Sequence, residues 1–317
     1  MNDADLFTSF ARRAATAPQD ACEALRELLE LRARQKDGEL KNLLLKQLVV
    51  KYARLEQELE ARQRQLQEDL KAAGEIQRSL LPQAATRSSR VQAVWRFQPC
   101  ERVGGDCLDL FFPAPGLLCG YILDVSGHGV PSAMIAVSVV QALRPGNAAC
   151  QLDSRGACDD VSPAQVLQLL DNQFPLERFD RHFTLSFFTL HEQTGELRYA
   201  SAGHPPPVLL NAAGGLRLLE EGGPVIGLGI SPFEEGRVLL EPEDRLFLYT
   251  DGVTECESPL GEFFGEERLF DLLRQTRDVS LEQAANALEE RIRDFCGGRP
   301  PRDDITLLAL EFLRDAA

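Results

Sequence analysis

Four short motifs place aspartate where a hydrophobic, β-prone run meets a turn: VGGD at 103–106, LDVSGHG at 123–129, YTDG at 249–252 and RDDIT at 302–306. A carboxylate at the end of a buried strand is carried by a rigid element yet faces a cleft, so several can converge on one spot. Converging carboxylates repel one another unless cations lie between them. Their oxygens are hard ligands that suit Mg2+ or Mn2+ better than zinc or copper. One aspartate in a turn has an ordinary backbone role. Four together, three of them following apolar runs, point to a hard-cation cluster, which serves either hydrolysis or a structural cation site.

Other chemistries find less support. Ser126 and His128 flank Asp124 and suggest a nucleophile and base, but in a glycine-rich turn they more often shape the backbone. Gly127 and Gly129 permit tight turning there. GGD at 104–106 has too few glycines for a phosphate cradle, and the chain has no Walker or dinucleotide fingerprint. The eight cysteines, at 22, 100, 107, 119, 150, 158, 256 and 296, form no CxxC pair and read as reduced, mostly buried thiols.

The elements that must position these acids differ along the chain. Residues 1–80 hold 14 basic and 14 acidic side chains, whereas 81–317 hold 20 against 35, so the net charge of −15 lies wholly in the second part. An acidic body repels phosphate backbones, which argues against nucleic acid as a partner. No apolar run reaches the roughly 18 residues a membrane span needs, and MNDADLFTSFARR has no signal-peptide core; a soluble cytoplasmic protein is expected. Residues 1–38 read as a helical segment, with Ala21–Arg34 as the helix and Asp37 and Gly38 as its break. Residues 39–82 read as a linker helix. Alternating steps of three and four through Leu45, Leu48, Tyr52, Leu55, Leu59, Arg62, Leu66, Asp69, Ala73, Ile76 and Leu80 are apolar at nine of eleven positions. About 60 Å of continuous helix is too long to lie on a small domain, so a dimeric coiled coil is preferred over a helical hairpin.

From Val91 onward the periodicity turns β-like, and residues 83–317 are expected to form one domain. Apolar runs occur at 91–97, 117–123, 183–190, 197–202, 208–210, 216–219, 238–240, 246–250 and 305–312, mostly separated by Gly, Pro, Asn or Asp. Helical patterns interrupt them at 131–143, 163–174, 266–274 and 281–295, with Pro131 and Pro163 at first-turn positions and Ser162 as an N-cap. Strands in runs with helices between the runs indicate an α+β fold, an antiparallel β-sandwich flanked by helices.

These residues carry a resemblance. GEIQRSLLP (74–82), RVGGDCLDLF, YILDVSGHGVPSAM, LRYASAGHPPPVLL, GPVIGLG, LEPEDRLFLYTDGVTE, FGEERL and DDITLLAL occur in the order and spacing of metal-dependent serine/threonine phosphatases of the protein phosphatase 2C (PPM) type. They are similar to the bacterial SpoIIE/RsbU-like branch, which acts in sigma-factor partner switching. The resemblance covers most of 74–313. It implies two divalent cations, Mn2+ or Mg2+. Asp124 would bridge them, the Val125 carbonyl would add a ligand, and Asp106 would bind directly or through water. Asp251 and Asp303 would complete the other metal's shell, with Asp304 the less certain member. It further implies in-line hydrolysis of phosphoserine or phosphothreonine by a metal-bridging hydroxide, with Asp124 and Asp251 as the firmest catalytic positions. The expected substrate is a phosphorylated STAS-type anti-sigma-factor antagonist. A homodimer through the coiled coil and an upstream regulator acting on residues 1–80 are expected too. The alternative is a catalytically silent scaffold of the same fold. His204, in AGHPPP, is expected to be structural; Cys107 and Leu108 replace aromatic residues common after GGD; Asp171 stands where relatives often carry Asn; and 145–161 reads as a variable surface loop.

Overall fold

The computed structural model describes residues 38–82, 87–144, 161–230 and 232–314, with side chains from residue 45 onward. The expected helix at Ala21–Arg34 and nearly all of the loop at 145–161 lie outside the described residues. The chain divides into two compact units, Met1–Asp69 and Leu70–Ala317.

Helix α1, Gly38–Arg78, contains Gly38 rather than starting after it. In the first unit its apolar seam is open to solvent: Leu55, Leu59 and Leu66 are 44, 60 and 58 % exposed. The last turns of α1 belong to the second unit, and there a face beside the seam packs inward. Ile76 is 65 % exposed, while Gly74, Gln77 and Leu81 are buried. The reason is steric. A Cβ on Gly74 would stand 2.2 Å from the Arg102 carbonyl oxygen, so only glycine lets the helix approach this closely.

The second unit is a sandwich. One sheet has the order β1 (Val91–Gln98), β11 (Ile305–Phe312), β10 (Arg245–Tyr249), β6 (Val208–Leu210), β7 (Leu216–Leu218). The other runs β2 (Cys107–Ala114), β3 (Leu117–Val125), β4 (Phe183–His191), β5 (Glu196–Ala202), β8 (Gly222–Gly223), with β9 (Gly236–Leu239) also pairing to β5. All pairings are antiparallel except the short β5–β8 contact. Helices α2 (Val130–Leu143) and α3 (Pro163–Gln173) cover the second sheet; α6 (Gly265–Gln275) and α7 (Leu281–Phe295) pack with the first. Two short helices complete the set, α4 (Leu176–Phe179) and α5 (Asp251–Thr254).

Apolar side chains from both sheets form one core that includes Leu108, Ile122, Phe187, Tyr199, Leu248 and Leu310. Each such side chain contributes about 1.5–3 kcal/mol by leaving water. A second cluster joins Val94, Phe247 and Leu307 to Leu269, Leu288 and Ile292 under α6 and α7. The caps follow local chemistry: Ser162 Oγ accepts from Gln165 N at 3.4 Å, and Ser280 and Gln283 form a reciprocal capping box at α7. The sequence reading missed β2. It is an edge strand whose Asp109, half-exposed Phe111 and Pro113 blur the alternation that marks a strand with one solvated face.

Candidate metal centre

Strand polarity brings the aspartates together. Asp106 immediately precedes β2 and Asp124 is the penultimate residue of β3, so antiparallel pairing, with Cys107 opposite Leu123, sets both at one end of that sheet. Asp251 opens α5 just after β10, and Asp303 and Asp304 precede β11; pairing of Tyr249 with Leu307 brings these ends together in the other sheet. The carboxyls of Asp106 and Asp124 face each other within one sheet, and the hydroxyls of Thr250 and Thr306, from the other sheet, reach Asp106 and join the two at this end.

Asp106 is 1 % exposed, and its Oδ2 accepts from Thr250 Oγ1 at 2.9 Å and from Thr306 Oγ1. Thr306 N donates in turn to Thr250 Oγ1 at 3.1 Å. These threonines fix the Asp106 rotamer, and the sequence reading passed over both, since threonine is an ordinary strand residue. Asp304 is buried with each oxygen taken by main chain: Oδ1 accepts from Cys100 N at 2.8 Å, Oδ2 from Asp106 N at 3.2 Å. A Cβ on Gly104 would stand 2.0 Å from that Oδ2, so the first glycine of GGD makes room for Asp304. The second does the same for the Val125 carbonyl, which would stand 2.5 Å from a Cβ on Gly105.

Gln77 is another residue the sequence did not single out. Its Nε2 donates to the Gly104 carbonyl at 2.8 Å, and its Oε1 accepts from Gly104 N at 3.1 Å. Both groups are buried, so the end of α1 clamps the peptide two residues before Asp106. The heptad reading favoured the neighbouring Ile76 and so hid this contact.

The electrostatics are those of crowded acids. Burial, then the fields of Asp251, Asp303 and Asp304, push Asp124 from 3.8 up to about 7. Asp106 is raised well above the usual range by burial, then by Asp124 and Asp304. Asp251 is raised by burial and by Asp303, and Asp303, which is exposed, is raised chiefly by desolvation. Among the described residues, no three His, Cys, Asp or Glu side chains stand as a group that could hold a metal ion. The fit to a divalent cation therefore rests on the donor set: hard oxygens, mutually repelling, beside a carbonyl for which Gly105 leaves room.

The other singled-out residues have structural partners. His128 Nδ1 lies 3.0 Å from Glu101 Oε1 at the surface, and Ser126 is held through its main chain, its carbonyl accepting from Ser132 Oγ at 3.1 Å. His204 is buried with Nδ1 2.7 Å from Thr184 Oγ1, and burial pushes it down to about 3, so it is neutral. Thr184 stands opposite Asp124 in the β3–β4 register. Asp171 Oδ1 accepts from Gly227 N at 2.7 Å and Gly229 N at 3.2 Å, a pair of bonds that an Asn oxygen at this position would also make.

Comparison with known proteins follows this geometry. The profile described as Stage II sporulation protein E (SpoIIE) matches residues 115–313. Protein IcfG of Synechocystis sp. is 29% identical over 262 residues, covering 76% of this chain and 41% of that protein. Phosphoserine phosphatase RsbP of Bacillus subtilis is 31% identical over 166 residues, covering 50% of this chain and 37% of that protein. The chain thus spans about two fifths of the length of these curated relatives. Among solved structures, the SiaA-PP2C domain of Pseudomonas aeruginosa has a TM-score of 0.67 at 24% identity, over 80% of this chain and 99% of that one. The catalytic domain of the serine threonine protein phosphatase PstP, in complex with 2 manganese ions, has a TM-score of 0.50 at 15% identity, over 71% and 99%. The sandwich, the convergent strand ends and the profile match agree: the chain belongs to the SpoIIE family and has the fold of PP2C-type phosphatase domains.

Proposed function

We propose that the protein is a metal-dependent serine/threonine phosphatase acting on phosphoserine or phosphothreonine of a regulatory protein. One observation carries the reading: acids from four strand ends meet, with Asp106 buried, Asp124 half-buried and both strongly perturbed, an arrangement that divalent cations relieve. Asp124 would be the shared ligand, with the Val125 carbonyl, Asp106, Asp251 and Asp303 around it. Asp304, its oxygens engaged by Cys100 N and Asp106 N, acts as the anchor of the Asp106 loop rather than as a ligand. Two divalent cations, Mn2+ or Mg2+, supply when bound a lowered water pKa and a counter-charge for the phosphoryl group. The chain's own part is to hold the acids: Thr250 and Thr306 orient Asp106, and Gln77 fixes the Gly104 peptide.

The name of the relative RsbP supports phosphoserine as the substrate class, and a STAS-type antagonist of an anti-sigma factor is the substrate we infer. The open seam of Leu55, Leu59 and Leu66 supports a homodimeric coiled coil, and residues 1–80 are where an upstream regulator would act. Among the described residues no helix is long and apolar enough to cross a membrane, in keeping with a cytoplasmic setting. The test is Mn2+- or Mg2+-dependent phosphate release from phosphoserine peptides and from a phosphorylated STAS protein. Release that fails to exceed that of an Asp124→Asn, Asp251→Asn double variant leaves the silent scaffold as the correct reading.

A further inference from the structure

A groove of about 490 Å3 lies between the last turns of α1, the Pro99–Arg102 loop and the last turn of α7. Lys71, Arg78, Arg102 and Arg293 line it. Three carboxylates line it too, but each is engaged within the protein. Glu75 is 4.0 Å from Lys71, Glu289 is 3.0 Å from Arg293, and Glu101 is 3.0 Å from His128. Arg78 and Arg102 are exposed and have no ion pair among the described residues. The lining holds four basic side chains against three acidic ones, whereas across residues 81–317 acids outnumber bases 35 to 20, so the groove runs against the charge of the body it borders.

We propose that this groove docks an acidic segment of a protein partner, its carboxylates pairing with Arg78 and Arg102 and its chain lying over Phe97 and Pro99. Arginine's planar fork takes a carboxylate through two parallel N–H···O bonds, a geometry lysine cannot give. The groove is far larger than one inorganic anion, and Phe97 and Pro99 in its lining offer nothing to such an ion but suit aliphatic stems and backbone. The two walls already touch, where Gly74 meets the Arg102 carbonyl, and Arg78 directly follows Gln77. The docked segment therefore spans the same two elements that the Gln77–Gly104 clamp joins. This inference stands apart from the reading of the carboxylate centre, because binding needs no turnover.

The test titrates the full chain against fluorescein-labelled decaglutamate by fluorescence anisotropy. A salt concentration of about 0.15 M screens repulsion from the rest of the acidic surface beyond about 8 Å. Saturable binding is expected, weakened roughly 10-fold or more by Arg78→Ala or Arg102→Ala, the scale of one lost charge-assisted hydrogen bond. Arg78→Lys and Arg102→Lys, which keep the charge without the fork, should fall between. Arg314→Ala, at an arginine that pairs with Glu243, should leave binding unchanged. Unaltered circular dichroism and melting temperature exclude misfolding of the variants. No saturable binding, binding that survives the Arg78→Ala, Arg102→Ala double variant, or displacement by millimolar inorganic phosphate would each overturn the docking site.

Discussion

Asp124→Asn removes one negative charge from the crowded centre without changing its shape. The folded carboxyl holds its proton up to about 7, against 3.8 for an ordinary aspartate, an interval worth about 4 kcal/mol. Asp124 shares a hydrogen bond with Asp106, so the two acids titrate as a pair and about half of that, ~2 kcal/mol, is the expected effect of the single substitution. The sign follows from proton linkage. The folded state binds this proton more tightly than the unfolded state, so the associated stability is intact below about 4 and is lost as pH rises through about 7. In the absence of divalent cations, the variant should match the wild type near pH 4 and melt about 4–8 °C higher at pH 8, at the usual conversion for a domain of this size. Differential scanning calorimetry in EDTA at the two pH values measures this directly. A variant that melts no higher than wild type at pH 8, or that leads by the same margin at both pH values, refutes the claim that ionised acids strain the centre.

The same linkage predicts that millimolar Mn2+ raises the wild-type melting temperature more at pH 8 than at pH 6, because protons compete for Asp124 at the lower pH; equal shifts would count against cation binding there. Gln77→Ala should leave the buried Gly104 N–H and carbonyl without partners, at roughly 1–3 kcal/mol for each group, lowering the melting temperature by about 5 °C or more and weakening the Mn2+ response. Gly104→Ala drives a methyl group against Asp304 Oδ2, so urea unfolding should show a loss of about 2 kcal/mol or more, together with loss of the cation response. Replacing Leu55, Leu59 and Leu66 with serine should leave the melting of the second unit unchanged while reducing any dimer seen by sedimentation velocity.

What the sequence disclosed and what it hid divide along a physical line. The aspartates were legible because each sits at the junction of an apolar run and a turn, and junctions are written in adjacent residues. Four such junctions together pointed to a cluster, though no single one of them shows convergence. Thr250, Thr306 and Gln77 were not legible, because their roles depend on partners more than a hundred residues away for Thr250 and Thr306, or, for Gln77, on a helix leaving its heptad phase at Gly74. The resemblance already ranked Asp304 below Asp303 as a ligand. Asp304 is buried with its oxygens on Cys100 N and Asp106 N, whereas Asp303 is exposed and accepts from Asp304 N. Edge strand β2 escaped because one solvated side and a proline diluted its alternation.

The bond from Asp106 N to Asp304 spans 198 positions of sequence, and the one from Thr306 to Asp106 spans 200. No hairpin or local helix can form such contacts early, since each closes a loop nearly as long as the domain. The carboxylate centre is therefore among the last features to appear as the chain folds, after the two sheets have met. Cation binding during refolding should report completion of the whole sandwich, and its delay after collapse gives a clock for that final docking.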